Sequence, residues 1–371
     1  MNDRIAAVEA AFKAGHFEDG VALTEALLTD EPKSGAQLYR NFASLLFRRG
    51  RYEDSARWAK TGAEIYPRDS ELWNVLGVSL RRLGRPQEAL QALNAGIKAQ
   101  PKSEALWQNK GNVLNDLKDG PGAIAVFSRL VRQAPTNPEF QRSLGRAHGH
   151  AGELDKAEMR YRLAARLRPD LVDAWLDLSA LQAEAKTPEV AVATLDEAIA
   201  QNPAPRLKEA KALAIRRSNK LRQAEAYLLT VLEDLPDEAW AHHQLGAVIT
   251  DWDRPRANKH LRRAVDLAPD NLDYRMGLVE SLVRSRHGDE AANIDAAYVE
   301  LKLARELGPL VSGPQLKVAS EVLSRVADFE GLEATCDFYE TGRLWAGQGR
   351  HTALLSQLSR VRAPEDRDEL V

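Results

Sequence analysis

Residues Glu71 to Pro101 read ELWNVLGVSLRRLGRPQEALQALNAGIKAQP, with an aromatic near the start, Leu76-Gly77 three and four residues later, Ala89 in the second half and a proline at the end. Something like it starts again at Glu104. Working outward, prolines fall at 32, 67, 101, 135, 169, 203, 236 and 269, at spacings of 35, 34, 34, 34, 34, 33 and 33. Ala89, Ala123, Ala157, Ala191, Ala224 and Ala257 keep the same clock, as do Trp73, Trp107 and Trp175, and Gly15, Gly50, Gly84 and Gly152. A fixed period of this length marks an array of repeats in which each unit buries its apolar face against its neighbours.

Within a unit, positions 4, 7, 8 and 11 form one stripe of a first helix, and positions 20, 24, 27 and 28 form a stripe on a second. Neither helix buries its stripe alone. Gly at 8 and Ala at 20 leave no side chain between the two axes, so the helices pack closely and antiparallel across a short turn. Pro86, Pro121, Pro188 and Pro255 sit where a second helix begins, a place where a missing N–H costs nothing. The proline at 32 ends that helix and directs the chain into the next unit.

At these residues the chain resembles the tetratricopeptide repeat family, whose 34-residue pattern is W-x2-L-G-x2-Y, then Gly, Ala, an aromatic and Pro. Trp73, Leu76, Gly77, Leu80, Gly84, Ala89, Leu93 and Pro101 match that pattern. So do Trp107, Gly111, Leu114, Ala123, Phe127 and Pro135, and then Leu144, Gly145, Gly152, Ala157, Tyr161 and Pro169. The resemblance covers residues 1 to about 310. It implies an all-α fold, a right-handed superhelix or α-solenoid of about nine antiparallel helix pairs over residues 1–309, whose concave face is lined by first helices. Residues 310–371 are expected to form an irregular helical cap or a linker to a further catalytic domain.

Departures from the pattern mark weaker places. The first unit has Ala11, Gly20 and Thr24 at core positions and reads as a degenerate cap. The seventh puts Lys208 and Lys211 where apolar residues belong, and in the eighth Trp240 lies two residues ahead of the aromatic phase, its role open between cap, staple and surface contact. Regularity ends near Pro309. Beyond it we expect a helical hairpin turning at Asp328 to Gly331, a further helix in RHTALLSQLSRV and a helix start in APEDRDELV.

A looser resemblance, carried by RVADFEGL and the segment LLSQLSRV…ELV after many repeats, is to the N-terminal half of bacterial O-linked N-acetylglucosamine transferase-like (SPINDLY-like) protein glycosyltransferases. It implies a substrate-recruiting arm. Nothing in the chain resembles the catalytic half itself.

Composition narrows the function classes. The 51 basic and 54 acidic residues give a net charge of −3, so no global field attracts a phosphate backbone and nucleic acid is not an expected partner. No apolar run approaches bilayer length, and the single cysteine, Cys336, suits a reducing, cytoplasmic setting. His148 and His150, and the group His242, His243 and His260, lack the companion ligands of a zinc site and read as core or surface histidines. Phosphate loops, nucleophile elbows and paired-carboxylate signatures are absent. The chain is therefore expected to need no metal or cofactor and not to be an enzyme.

Positions 5, 6, 9, 12 and 13 of the first helices form a stripe opposite the packing stripe. It reads Arg40, Asn41, Ser44, Phe47 and Arg48, then Asn74, Val75, Val78, Arg81 and Arg82, then Gln108, Asn109, Asn112, Asn115 and Asp116. Carboxamides both donate and accept, so recurring asparagines on one face suit a grip on the backbone of an extended peptide. The glycosyltransferase resemblance implies such an asparagine ladder, matched at Asn41 and Asn109 and interrupted by Val75, Ser143 and Asp177. Solvated polar surface is the plainer reading of the same residues. The expected partner is a protein or extended peptide in the concave groove, contacted by Arg40, Asn41, Arg48, Asn74, Arg81, Arg82, Gln108, Asn109, Asn112 and Asn115. The alternative to a recruiting arm is a free-standing assembly scaffold or co-chaperone-type adaptor. No three consecutive units supply the Lys, Asn and Arg set that a clamp for chaperone-tail carboxylates needs.

Overall fold

A computed structural model of the chain describes residues 2–285, 290–308 and 313–330. They form nineteen α-helices, and no strand occurs among the described residues. The chain divides into two compact units, Met1–Lys186 and Thr187–Val371. In the first, α1 (Asn2–Lys13) packs on α2 (Phe17–Asp30), α3 (Ala36–Arg48) on α4 (Tyr52–Ile65), and α5 (Ser70–Arg82) on α6 (Pro86–Ala99). There follow α7 (Glu104–Asp116) on α8 (Gly120–Gln133) and α9 (Pro138–His150) on α10 (Leu154–Leu167), with α11 (Val172–Ala185) against α10. In the second, α12 (Pro188–Gln201) packs on α13 (Pro205–Arg217), which meets α14 (Leu221–Asp234). Then come the pairs α15 (Ala239–Ile249) with α16 (Arg254–Leu267) and α17 (Leu272–Val283) with α18 (Glu290–Leu307), and α19 (Gly313–Glu330) lies on α17 and α18.

The two helices of a pair approach as the glycine and alanine positions require. A Cβ placed on Gly77 would lie 2.6 Å from the Leu93 side chain, one on Gly111 2.6 Å from Phe127, and one on Gly145 2.8 Å from Tyr161. Ala89, Ala123, Ala157, Ala191, Ala224 and Ala257 are all buried. The turn between first and second helix needs a left-handed residue. Gly50, Gly84 and Gly152 take it with φ of 76°, 71° and 75°, and Lys118 and Asn219 are held there at 57° and 58°. Four first helices, α5, α7, α9 and α17, start on side-chain caps: Asp69 accepts from the Leu72 N–H, Ser103 from Leu106, Asn137 from Glu139 and Phe140, and Asn271 from Tyr274.

A second contact explains the aromatic phase. The indole N–H of Trp73 donates to the Pro67 carbonyl at 3.0 Å, Trp107 to Pro101 at 2.9 Å and Trp175 to Pro169 at 3.0 Å. In three repeats without tryptophan another N–H donor makes the same bond six residues back, Gln141 to Pro135, His242 to Pro236 and Arg275 to Pro269, and the Pro32 carbonyl accepts from the Tyr39 hydroxyl instead. The position therefore selects an N–H donor that satisfies the carbonyl left at the helix-ending proline, and an aromatic ring is one way to supply it.

Trp240, out of phase, is a core residue. It is buried among Ala212, Val231 and Leu245, while His242 holds the donor position. Lys208 and Lys211 are half-buried with their charges paired: Lys208 with Asp234 at 3.7 Å, and Lys211 with Asp196 at 2.6 Å while lying over the Tyr227 ring. His148 is buried with its Nδ1 at 2.5 Å from Glu153. Among the described residues no helix is long and apolar enough to cross a membrane. Helix α19 continues through Asp328 to Glu330. Pro309, Gly331, Cys336 and the segments RHTALLSQLSRV and APEDRDELV lie outside the described residues.

Candidate functional site

In the first unit the first helices stand side by side: α3 touches α5, α5 touches α7, α7 touches α9 and α9 touches α11. Second helices make no contact of that kind with one another, so the first helices form the inner side of the curve in this unit. Along this face polar side chains about one repeat apart bond to each other. Arg40 of α3 reaches Asp69 at 2.7 Å and Glu71 at 3.3 Å. From α7, the Asn109 Nδ2 donates to the Asn74 Oδ1 of α5 at 2.8 Å, and Arg81 pairs with Asp116 through two nitrogens. Arg142 of α9 pairs with Asp177 at 2.7 Å and Asp173 at 3.2 Å on α11, with Arg146 3.5 Å from the same Asp177. Burial alone would lower the Arg142 pKa, but the hydrogen bond and charge of Asp177, with Asp173 and Glu139, more than reverse it.

This zipper sorts the residues marked from sequence. Arg40, Asn74, Asn109 and Arg81 bond between neighbouring first helices. Asn115 is not on the open face: it is 3% exposed, donates to the Ser143 carbonyl of α9 at 3.1 Å, and buries its own Oδ1 without a partner. Asn41 is exposed, and its Oδ1 accepts a long hydrogen bond from the Gln37 Nε2 at 3.4 Å. Arg48 and Arg82 are exposed and have no ion-pair partner among the described residues, and the half-buried Gln108 and Asn112 have no hydrogen-bond partner among them. Asp69, Glu71 and Asp173 were not singled out in the sequence, and Asp177 was read there only as an interruption of the asparagine ladder. Their signal is a spacing of 29 to 35 residues from an arginine, which acquires meaning once adjacent repeats are stacked.

Cations collect where the first helices end, as the dipole favours. Arg48, Arg49, Arg82 and Lys118 are exposed there, and burial together with the nearby Arg146 and Lys118 charges holds the His150 pKa below its ordinary value. At the N-terminal end of the unit a cleft of about 630 Å³ opens between α1 and α3. Val8, Phe12, Leu38 and Leu45 line it, with Asn41, Arg48 and Arg49 at its polar margin. No group of three or more His, Cys, Asp and Glu side chains close enough to hold a metal ion occurs among the described residues.

The family model for tetratricopeptide repeats matches residues 5–70 and 74–138. Among solved structures, MamA 41-end from Desulfovibrio magneticus RS-1 is 25% identical, over 46% of this chain and 96% of its own, with a TM-score of 0.43. YrrB, described as a TPR protein with an unusual peptide-binding site, is 23% identical over 50% of this chain and 94% of its own, with a TM-score of 0.41. A tetratricopeptide repeat protein from Parabacteroides merdae ATCC 43184 is 17% identical over 66% and 97%, with a TM-score of 0.48. No curated protein matches. From the family match, the proline and alanine clock and the close-packed helix pairs, residues 5–70 and 74–138 are tetratricopeptide repeats, and helix pairs of the same kind follow them.

Proposed function

We propose that this chain is a protein-binding scaffold that takes a protein or extended peptide along the inner face of α3, α5 and α7. One observation carries this. On a face where most polar groups bond to one another, Asn41, Gln108 and Asn112 keep carboxamide valences open, and Arg48 and Arg82 keep their charges open. Polar groups without partners on a wide inner surface are what a ligand's main chain and acidic side chains would engage. In the finer form of the proposal the chain, itself non-catalytic and working in the cytoplasm, is the substrate-recruiting arm of a protein-modifying enzyme such as an O-glycosyltransferase. Residues 1–309 are then the repeat arm, and 310–371 a cap or linker. A free-standing assembly scaffold or adaptor is the second reading. The bond between Asn74 and Asn109 favours it, because a backbone-gripping ladder needs those carboxamides open.

The test is copurification with the wild type and with an Asn41→Ala, Gln108→Ala, Asn112→Ala variant, at low and high salt, with bound proteins identified by mass spectrometry. Each lost hydrogen bond should weaken binding by about 0.5–1.5 kcal/mol, so the triple variant should lose micromolar partners while its stability hardly changes. If the variant keeps every partner and changes on the second helices release them, the inner face is not the binding surface. Partners that are modified proteins, released with the modifying enzyme, would select the recruiting arm over the free-standing scaffold.

A further inference from the structure

The cleft between α1 and α3 has a cause in the chain. The linkers entering α5, α7, α9 and α11 have four residues each, 66–69, 100–103, 134–137 and 168–171. The linker entering α3 has five, 31–35, and ends in Gly35 at φ +115°, a conformation that side chains rarely take. The extra residue matches the single 35-residue spacing in the proline clock, between Pro32 and Pro67. Where α3 touches α5 and α5 touches α7, no comparable contact joins α1 to α3. Within this unit the inner seam stays open at this step, and apolar side chains that would close it, Val8 and Phe12 from one side and Leu38 and Leu45 from the other, line a cleft instead.

Its charge is one-sided. Among the described residues lining it the one carboxylate, Glu9, lies 3.6 Å from Lys13. Arg48 is exposed without an ion-pair partner among the described residues, and Arg49 has only the face of Phe17, 4.6 Å from the ring centre. Arg82, one repeat on, continues the basic edge. A volume of about 630 Å³ is that of a site for several apolar side chains, within the usual range of ligand clefts.

We propose that this cleft docks a short acidic peptide segment of a partner protein, which inserts aliphatic or aromatic side chains between α1 and α3 and lays carboxylates on Arg48 and Arg49. This rests on the scaffold function above and names the chemistry of the partner. The apolar floor supplies affinity through removal of surface from water. The two guanidiniums, placed at the end of α3, supply the choice of acidic over basic segments and a dependence on salt. Asn41, beside Arg48 on the same face, is positioned to bond the segment's main chain.

The test uses the full chain and three fluorescent peptides: Leu-Glu-Glu triplets, Leu-Lys-Lys triplets and Ser-Glu-Glu triplets. Fluorescence anisotropy should show the leucine–glutamate peptide binding at least about tenfold tighter than either of the others, with the difference from the lysine peptide shrinking as salt is raised. Arg48→Glu with Arg49→Glu, both exposed changes, should reverse the preference between the glutamate and lysine peptides. Leu45→Gln, checked for folding by circular dichroism, should weaken the leucine–glutamate peptide about tenfold and leave the serine peptide unaffected. Equal binding of all three peptides, or a preference untouched by the arginine changes, overturns the proposal. If binding is instead lost on Gln108→Ala with Asn112→Ala, the cleft is wrong while the inner-face function stands; loss on neither set sinks both. Self-association of the wild type that the arginine changes abolish would make the occupant a second copy of this chain, which also overturns it.

Discussion

The tryptophans at the fourth position look alike in sequence and differ in the fold. Trp175 is 1% exposed, whereas Trp107 is only partly buried, its ring lying under Arg129 at 4.4 Å and near Lys110 at 5.4 Å. Losing a ring fully packed between neighbouring helices costs roughly 3–5 kcal/mol. That cost belongs to Trp175. Denaturant melts should show Trp175→Ala losing about 3–5 kcal/mol and Trp107→Ala about 1–2 kcal/mol, the latter from part of a ring and one hydrogen bond. Equal losses would mean that exposure does not set the difference. The same position also shows why the residue type varies. What recurs is a donor to the proline carbonyl, supplied by Trp, Gln, His or Arg, which an aromatic pattern alone misses. In the seventh repeat Glu209 stands six residues after Pro203 and is no donor when ionised; burial, then the Glu238 charge, push its carboxyl above the usual range.

Among the helices, α15 carries a pH dependence. His243 stacks on Tyr274 of α17 with ring centres 4.7 Å apart, and burial, then the Arg216 charge from α13, lower its pKa to about 4, with Asp273 of α17 opposing. On the neighbouring α16, His260 is also held below its ordinary value, by burial and then by His242, with which it shares an Nδ1–Nδ1 hydrogen bond of 2.9 Å. A histidine whose folded pKa lies below its unfolded value takes up its proton first in the unfolded chain. His243 therefore leaves stability untouched above pH ~6.5 and removes it progressively as pH falls toward ~4, by on the order of 3 kcal/mol. Urea melts at neutral and mildly acidic pH should show the wild type losing stability over that window, and His243→Gln losing clearly less. Parallel losses in the two proteins would show that the acid sensitivity lies elsewhere.

For the whole chain, each repeat is held mainly by its neighbours, so stability is close to a sum of local terms. Trp175→Ala should raise hydrogen exchange first in α9, α10 and α11, while α3 to α6 keep their protection until global unfolding. Uniform loss along the chain would contradict local opening.

What was legible from the residues alone was whatever repeats every 34 positions. The helix pairs, the alanines and glycines at the close approach, the left-handed turns and the helix-ending prolines are local or nearest-neighbour requirements, and each leaves its mark in every copy. The inner stripe was legible as a set of positions, but which of its side chains remain open was not. Asn74 bonds Asn109 and Arg81 bonds Asp116 across 35 residues, and Asn115 is drawn inside by the Ser143 carbonyl of the next repeat. Trp240 became core because a different donor, His242, satisfied the Pro236 carbonyl. One added residue before α3 passed for variation in the period until stacking turned it into an open seam. The sequence by itself determined the repeat and its core, because close packing within a unit constrains residue size at fixed spacing. Which polar groups of the inner stripe stay open was settled by stacking, because polar groups choose partners by distance across helices, and that distance exists only once the repeats are stacked.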